Sequence, residues 1–432
     1  MEIKRDIYLQ RLIERKNNGF IKVITGIRRC GKSYLMNNIF YDSLKASGVA
    51  ENHIIKFAFD SADDLMLIGE DLFEIDSKKR TVDPKKFINY VKTKIVDDGM
   101  YYLLLDEVQK LGSFESVLNG YLRKKNVDVY VTGSNSKFLS SDIITEFEGR
   151  GDEIHVLPLS FSEFFSVYEG TKDEAFDDYT VYGSLPAVAL MNTEERKAGY
   201  LTSQLQNMYI KDIISRYNLS DDADIGELLD VIASGISTLT NPRKLADTFK
   251  TVKRSSISEV TVGRYISHME EAFLISKVKR YDIKGKKYIG TPYKIYFEDI
   301  GLRNARLGFR QIEATHIMEN IIYNELRYRG YSVDVGVVEV REKDKETGKE
   351  TKKQLEIDFI AYIGSKKYYI QSAYALPDEE KRAQETRPFD KAGDSFKKIL
   401  IVEKTMKPRR DEKGYVMMGI KEFLLMSDSL EA

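Results

Sequence analysis

The chain of 432 residues holds a single cysteine, Cys30, so no internal disulfide can form and nothing in its thiol content points to secretion. It also has no long apolar run. The longest, such as YYLLL at 101–105, fall far short of the roughly 18 residues that span a bilayer. The first ten residues, MEIKRDIYLQ, lack the apolar core of a secretory leader. The expectation is a cytoplasmic chain with no membrane partner. Neither sign of charge dominates: 67 Lys+Arg against 68 Asp+Glu leave a net charge of -1. No global field therefore favours nucleic acid or acidic lipid, and any such preference has to be local. The sequence shows no internal repeat and suggests no long disordered tract.

What is present is ordinary for a soluble globular protein: 42% hydrophobic and 31% charged residues, with length enough for two or three domains. Short continuous apolar segments, FIKVITG (20–26), NHIIKFAFD (52–60), YYLLLDEV (101–108) and VDVYVTGSN (127–135), alternate with stretches of helical spacing. One of these, 83–98, places Phe87, Tyr90, Val91 and Ile95 on one face. The alternation predicts a parallel sheet covered on both faces. DEIHVLPLSFSEFF (152–165) predicts a further strand turning into a helix, and 176–235 is helical throughout. Beyond it the order becomes helix, helix, strand, strand, as in a winged helix-turn-helix. From about 310 a helix is followed by three strands, with the charged stretch 341–354 as a solvated hairpin loop.

Gly26-Ile27-Arg28-Arg29-Cys30-Gly31-Lys32-Ser33 fits G-x-x-x-x-G-K-[ST] between a strand and a helix. Such a loop turns its backbone N–H groups and the following helix end onto a phosphate chain. Lys32 would reach the terminal phosphates of ATP, and Ser33 would hold Mg²⁺. Cys30 reads as a small buried residue of that loop. The strand YYLLLDEV would deliver Asp106 to Mg²⁺ and Glu107 to an attacking water, which argues for hydrolysis rather than binding alone. VYVTGSNS offers Ser134 or Asn135 toward the γ-phosphate, or is merely a turn. Arg150, between Gly149 and Gly151, is either a charge sensor or arginine finger, or a plain surface residue.

The motifs ITGIRRCGKSYLM, LLLDEVQ, VYVTGSNSKFLS, GRGDEIHVLPLSFSEF and YGSLP, in this order, resemble bacterial and archaeal AAA+-superfamily ATPases that carry a winged helix and a C-terminal nuclease-like domain. The resemblance implies an α/β chain with an AAA+-like P-loop core at 1–175, a helical connector at 176–235, a winged helix at 236–304 and a nuclease-like domain at 305–432. It implies ATP and Mg²⁺ as cofactors at residues 26–33 and Asp106, with Glu107 on the water, Asn135 as sensor and Arg150 as the arginine after the sensor strand. Where the family often has Gly-Gly-Leu-Pro, this chain has Gly183-Ser184-Leu185-Pro186.

The C-terminal region resembles the restriction-endonuclease-like fold, with Glu319 and Asp358 matching its helix and strand carboxylates. Gln371-Ser372-Ala373 stands where Glu-x-Lys is expected, so the domain reads as an inactive scaffold. Residues 241–287 hold twelve Lys/Arg against five Asp/Glu. This is the footprint of a double-stranded DNA binder, or alternatively a solvated protein-protein module. The function expected is ATP hydrolysis that repositions these modules on DNA. The alternatives are an ATP-dependent nuclease and a slow nucleotide switch acting through protein contacts. A finger role for Arg150 in a neighbouring copy would require a homo-oligomer.

Overall fold

The computed structural model describes residues 3–78, 80–133, 147, 149–217, 219, 222–253, 257–343 and 350–432. The chain divides into two compact units, Met1–Leu157 and Pro158–Ala432.

In the first unit the apolar segments become β1 (Ile21–Thr25), β2 (Ile54–Ala58), β3 (Tyr101–Asp106), β4 (Val127–Thr132) and β5 (Gly151–His155). They form one sheet in the order β2-β3-β4-β1-β5, every neighbouring pair parallel. All residues of β1, β3 and β4 are buried, as expected for strands covered on both faces. The helix Pro84–Lys94 starts where Asp83 accepts the Lys85 N–H at 2.8 Å and Pro84 takes the first turn. It buries Phe87 and Val91, and the Phe87 ring meets Phe57 and Phe59 at centroid distances of 5.1 and 4.9 Å. Each such buried ring contributes roughly 1.5–3 kcal/mol of apolar transfer energy. The consequence for function is directional. Parallel strands bring all their carboxyl ends to one edge, and ligands of open α/β sheets lie along that edge.

The second unit opens with helices, among them Lys172–Tyr182, Asp222–Ser234, Pro242–Lys253 and Glu259–Glu271. An eight-stranded mixed sheet follows, built from β6 (Ile275–Asp282), β7 (Lys287–Phe297), β8 (Ser332–Lys343), β9 (Glu350–Ile363), β10 (Lys366–Ala373), β11 (Lys397–Val402), β12 (Arg409–Arg410) and β13 (Val416–Gly419), in the order β12-β13-β11-β10-β9-β8-β6-β7. The helix-helix-strand-strand order is present. Its hairpin is nevertheless part of the larger sheet, because β6 pairs in parallel with β8 from Arg280↔Val335 to Asp282↔Val337. The strands β8 and β9 also run into the charged stretch, to Lys343 and from Glu350, which corrects its reading as loop at both ends; 344–349 lie outside the described residues.

The GSLP segment is explained by packing. Gly183 has φ +70°, and a Cβ there would stand 2.4 Å from the Gly301 nitrogen. The buried Asp299 carboxylate accepts the Ser184 N–H at 2.8 Å and caps the helix Ile300–Arg306 through the Leu302 N–H at 2.9 Å. Burial pushes this carboxyl up to about 6, against the pull of the N–H groups it accepts.

Candidate functional site

The phosphate loop leaves β1 at the carboxyl edge of the first sheet. Gly26 has φ +134°, and a Cβ there would lie 2.1 Å from the Val156 carbonyl oxygen, so only glycine fits. Gly31 adopts a left-handed conformation and precedes a continuous helical run, Lys32–Tyr34, a π-helical turn Leu35–Phe40, then Tyr41–Ala46. Single π-turns inside helices are frequent at functional sites. Cys30 is fully buried, Lys32 is buried, and Ser33 is exposed at the helix start.

The Lys32 Nζ donates to the Gly26 and Ile27 carbonyls at 2.9 and 3.1 Å. Its ammonium thus lies folded over the loop that a triphosphate would enter. The loop is braced from a residue that sequence reasoning missed. Arg5 is 5% exposed and donates to the Cys30 carbonyl at 3.1 Å and to the Leu157 carbonyl at 2.6 Å. No motif marks it, because its partners are backbone oxygens 25 and 152 residues away.

At the same edge, β3 delivers Asp106 and Glu107. The buried Asp106 carboxylate accepts from the Thr132 hydroxyl at the end of β4 and from Asn37 Nδ2 at 3.4 Å. Thr132 Oγ1 also accepts the Glu107 N–H at 3.3 Å, so one hydroxyl fixes both acidic residues. Glu107 has φ +51°, a left-handed conformation that costs a non-glycine residue energy and recurs at functional sites. Its carboxylate accepts from Gln109 Nε2. Asp60, just past β2, completes the acidic edge. Burial first, then the Glu107 and Asp106 charges, hold its carboxyl above the usual range. The third sequence element contributes Thr132, whereas Ser134 and Asn135 lie outside the described residues.

Arg150 is not brought to this edge, which corrects its reading as a sensor of its own chain's phosphates. Its carbonyl accepts the Ile21 N–H at 2.9 Å, and β5 starts immediately after it, with Gly151 beside Ile21. It therefore stands at the amino end of β1, about 16 Å of strand from the loop at roughly 3.3 Å per residue. A residue that precedes a parallel strand is necessarily at the far end of the sheet.

In the second unit the structure does bring Glu319 and Asp358 together, and with them a lysine. Lys294 on β7 places its buried Nζ 2.8 Å from Glu319 Oε1, 2.8 Å from Glu356 Oε1 and 3.5 Å from Asp358 Oδ1. Burial alone would lower its pKa, but these carboxylates more than reverse that and hold it above the ordinary value. The Tyr296 hydroxyl donates to Glu319 at 2.6 Å. Burial and the Glu319 charge raise the Asp358 carboxyl. The register shift between Asp334↔Ile360 and Gly336↔Ile357 sets one residue of β8, Val335, against two of β9, Asp358 and Phe359, so Asp358 lies in the bulge. A lysine ammonium thus stands beside Asp358 although position 373 is alanine, and it comes from β7. Gln371 is spent otherwise, accepting the Asp358 N–H at 3.4 Å and donating to Glu385 at 3.3 Å. Among the described residues, no group of three or more His, Cys, Asp or Glu side chains is arranged to hold a metal ion.

Of the basic stretch 241–287, Arg243 is exposed, with its side chain 78% accessible, and Lys250, Arg264, Lys279, Lys284, Lys286 and Lys287 are exposed as well. Arg280 is buried against Gln354, and Lys277 pairs with Glu270 at 3.1 Å. Arg254 lies outside the described residues. Among the described residues, no helix is long and apolar enough to cross a membrane.

A phosphate loop on β1, with the Asp-Glu pair one strand beyond its neighbour at the same edge of a β2-β3-β4-β1-β5 sheet, defines a P-loop ATPase fold. A family model described as an AAA domain matches residues 18–165, and one described as a domain of unknown function matches residues 173–313. The chain belongs to the AAA+ superfamily of ATPases. Over 408 residues it is 33% identical to an uncharacterised protein of Haemophilus influenzae, covering 93% of this chain and 94% of that one. Over 406 residues it is 26% identical to an uncharacterised protein of Methanocaldococcus jannaschii, covering 90% and 81%. Among solved structures it resembles a Walker-type ATPase of Pyrococcus abyssi with a TM-score of 0.50 and 15% identity, over 71% of this chain and 96% of that one, a likeness of fold.

Proposed function

We propose that the chain binds ATP at residues 26–33 and hydrolyses it, and that the cycle repositions its C-terminal modules on DNA. The observation that carries the hydrolytic part is the convergence of the loop with Asp106 and Glu107 on one sheet edge, the two acids tied by Thr132. The loop fits a phosphate chain: its backbone turns where a Cβ at Gly26 would collide, and the Lys32 ammonium is at hand. On ATP entry Lys32 would exchange its two carbonyl partners for phosphate oxygens, a charge-assisted contact stronger than the neutral one it gives up. Ser33 and Asp106 are the residues that would hold Mg²⁺, which neutralises charge on the phosphates. Glu107 would orient and polarise the attacking water.

Glu107→Gln should keep ATP binding and lose turnover, whereas Lys32→Ala should lose binding itself. Turnover by Glu107→Gln at the wild-type rate would remove Glu107 from this role. Arg150 remains a candidate finger only toward a neighbouring copy. Specific activity that rises with protein concentration supports that role, and a flat profile excludes it.

The DNA part is supported by the exposed cations of 241–287. Duplex affinity should fall steeply with salt, and a slope near zero would remove this stretch as a phosphate binder. A second reading, an ATP-dependent nuclease, is favoured by one observation, the Lys294 ammonium among Glu319, Glu356 and Asp358. Plasmid cleavage with Mg²⁺ or Mn²⁺, lost on Asp358→Ala, supports it, and clean inactivity excludes it.

A further inference from the structure

One face of the C-terminal sheet carries a small open cavity of about 300 Å³, lined by Tyr281, Tyr288, Asp334, Tyr362, Lys367 and Phe396 among others. It belongs to neither the nucleotide loop nor the Lys294 cluster. Tyr288 and Phe396 are 56% and 41% exposed, an unusual outlay of aromatic surface for one spot. The rings are held in place. Tyr281 meets Tyr288 edge-on at 5.3 Å. The Tyr288 hydroxyl donates to Asp334 at 3.1 Å and lies 3.3 Å from that of Tyr362. Lys367 Nζ stands over the Phe396 and Tyr281 rings at 4.8 and 5.6 Å.

The surrounding charge selects the occupant. Lys279 stands two residues before Tyr281 on β6, Lys286 stands two residues before Tyr288 at the turn into β7, and both are exposed. The two nearby carboxylates are engaged by tyrosines, Asp334 with Tyr288 and Asp394 with the Tyr369 hydroxyl at 2.6 Å. Exposed rings beside ammonium groups that form no ion pair among the described residues suit a ligand that is flat and apolar on one part and anionic on the next. An unpaired nucleotide in a strand has that form, and bases stack on such rings whatever their sequence. A duplex does not fit, because its bases are already stacked on one another. The volume admits one base.

We infer that this face binds single-stranded nucleic acid, one base lying against Tyr288 and Phe396 while its phosphates pass Lys279, Lys286 and Lys367. The inference does not rest on ATP hydrolysis or on duplex binding. The test uses the full chain without nucleotide and short fluorescent strands of mixed sequence, as single-stranded DNA, single-stranded RNA and duplex DNA, read by anisotropy. Wild type should bind a single strand, and the DNA and RNA arms identify which source of the shared chemistry is used. Tyr288→Ala should weaken that binding roughly five- to a hundred-fold, the effect of losing one stacked base. Tyr288→Phe, which keeps the ring, should retain it. Lys286→Ala should reduce the salt slope. Because Tyr288 belongs to the second unit, a urea unfolding transition of Tyr288→Ala that matches wild type, followed by circular dichroism, reports that the protein is intact. No single-strand binding by wild type, or wild-type affinity in an intact Tyr288→Ala, overturns the inference. Duplex binding that persists in either case leaves the duplex reading standing.

Discussion

Replacing Lys294 by methionine isolates the energetics of the buried cluster. The side chains of Lys294, Glu319 and Asp358 are 4%, 9% and 10% exposed, so the substitution strands two carboxylates away from water without their cation. Their remaining donors, the Tyr296 hydroxyl at 2.6 Å and the Ser372 N–H at 2.9 Å, persist but carry no full charge. Losing one member of a buried ionic group costs about 3–5 kcal/mol. Urea unfolding followed by circular dichroism at pH 8 should show a deficit of this size. The pH dependence carries the sign. The Asp358 carboxyl is already raised in the wild type, and losing the cation raises it further, so the variant takes up its proton at a higher pH than the wild type and the deficit shrinks as pH falls through that range. Adding Glu319→Gln and Asp358→Asn to Lys294→Met should restore most of the lost stability at pH 8. A deficit below about 1 kcal/mol at pH 8, the scale of an exposed pair, or a triple variant no more stable than Lys294→Met, refutes the account.

Two further outcomes follow from the packing. Arg5→Ala removes the brace on the Cys30 and Leu157 carbonyls, taking a charged donor from each buried acceptor at about 1–3 kcal/mol. Equilibrium titration should show weaker ATP binding, with Glu107-dependent turnover surviving at saturating ATP. The Asp299 carboxyl is pushed up to about 6 from an ordinary 3.8. A raised acid stabilises the fold below its unfolded value and loses that contribution as pH rises through 6, so Asp299→Asn should gain on wild type by about 2 kcal/mol between pH 4 and pH 7. Parallel denaturant curves at the two values check it.

The nucleotide edge was legible because each part of it is local. Gly26 to Ser33 form one loop, and Asp106 and Glu107 end one strand. What supports them was not. Arg5 and Thr132 act through oxygens and hydroxyls far away in sequence, and such partners leave no spacing to read. Arg150 shows the opposite error, since proximity to a strand says nothing about which end of the sheet the residue occupies. Lys294 was hidden by domain parsing. It lies in a hairpin read as a separate wing, and only the pairing of β6 with β8 places it beside Asp358.

That pairing has a mechanical consequence. A strand held on both sides by a hydrogen-bonded ladder cannot tilt without surrendering those bonds. The helix Glu259–Glu271 leads directly into β6, whose partners are β7 and β8. Whatever seizes that helix therefore tugs on β6 and, through its ladder, on β7 with Lys294, so the hairpin and the carboxylate nest answer as a single yoke and any joint in the molecule has to be sought outside it.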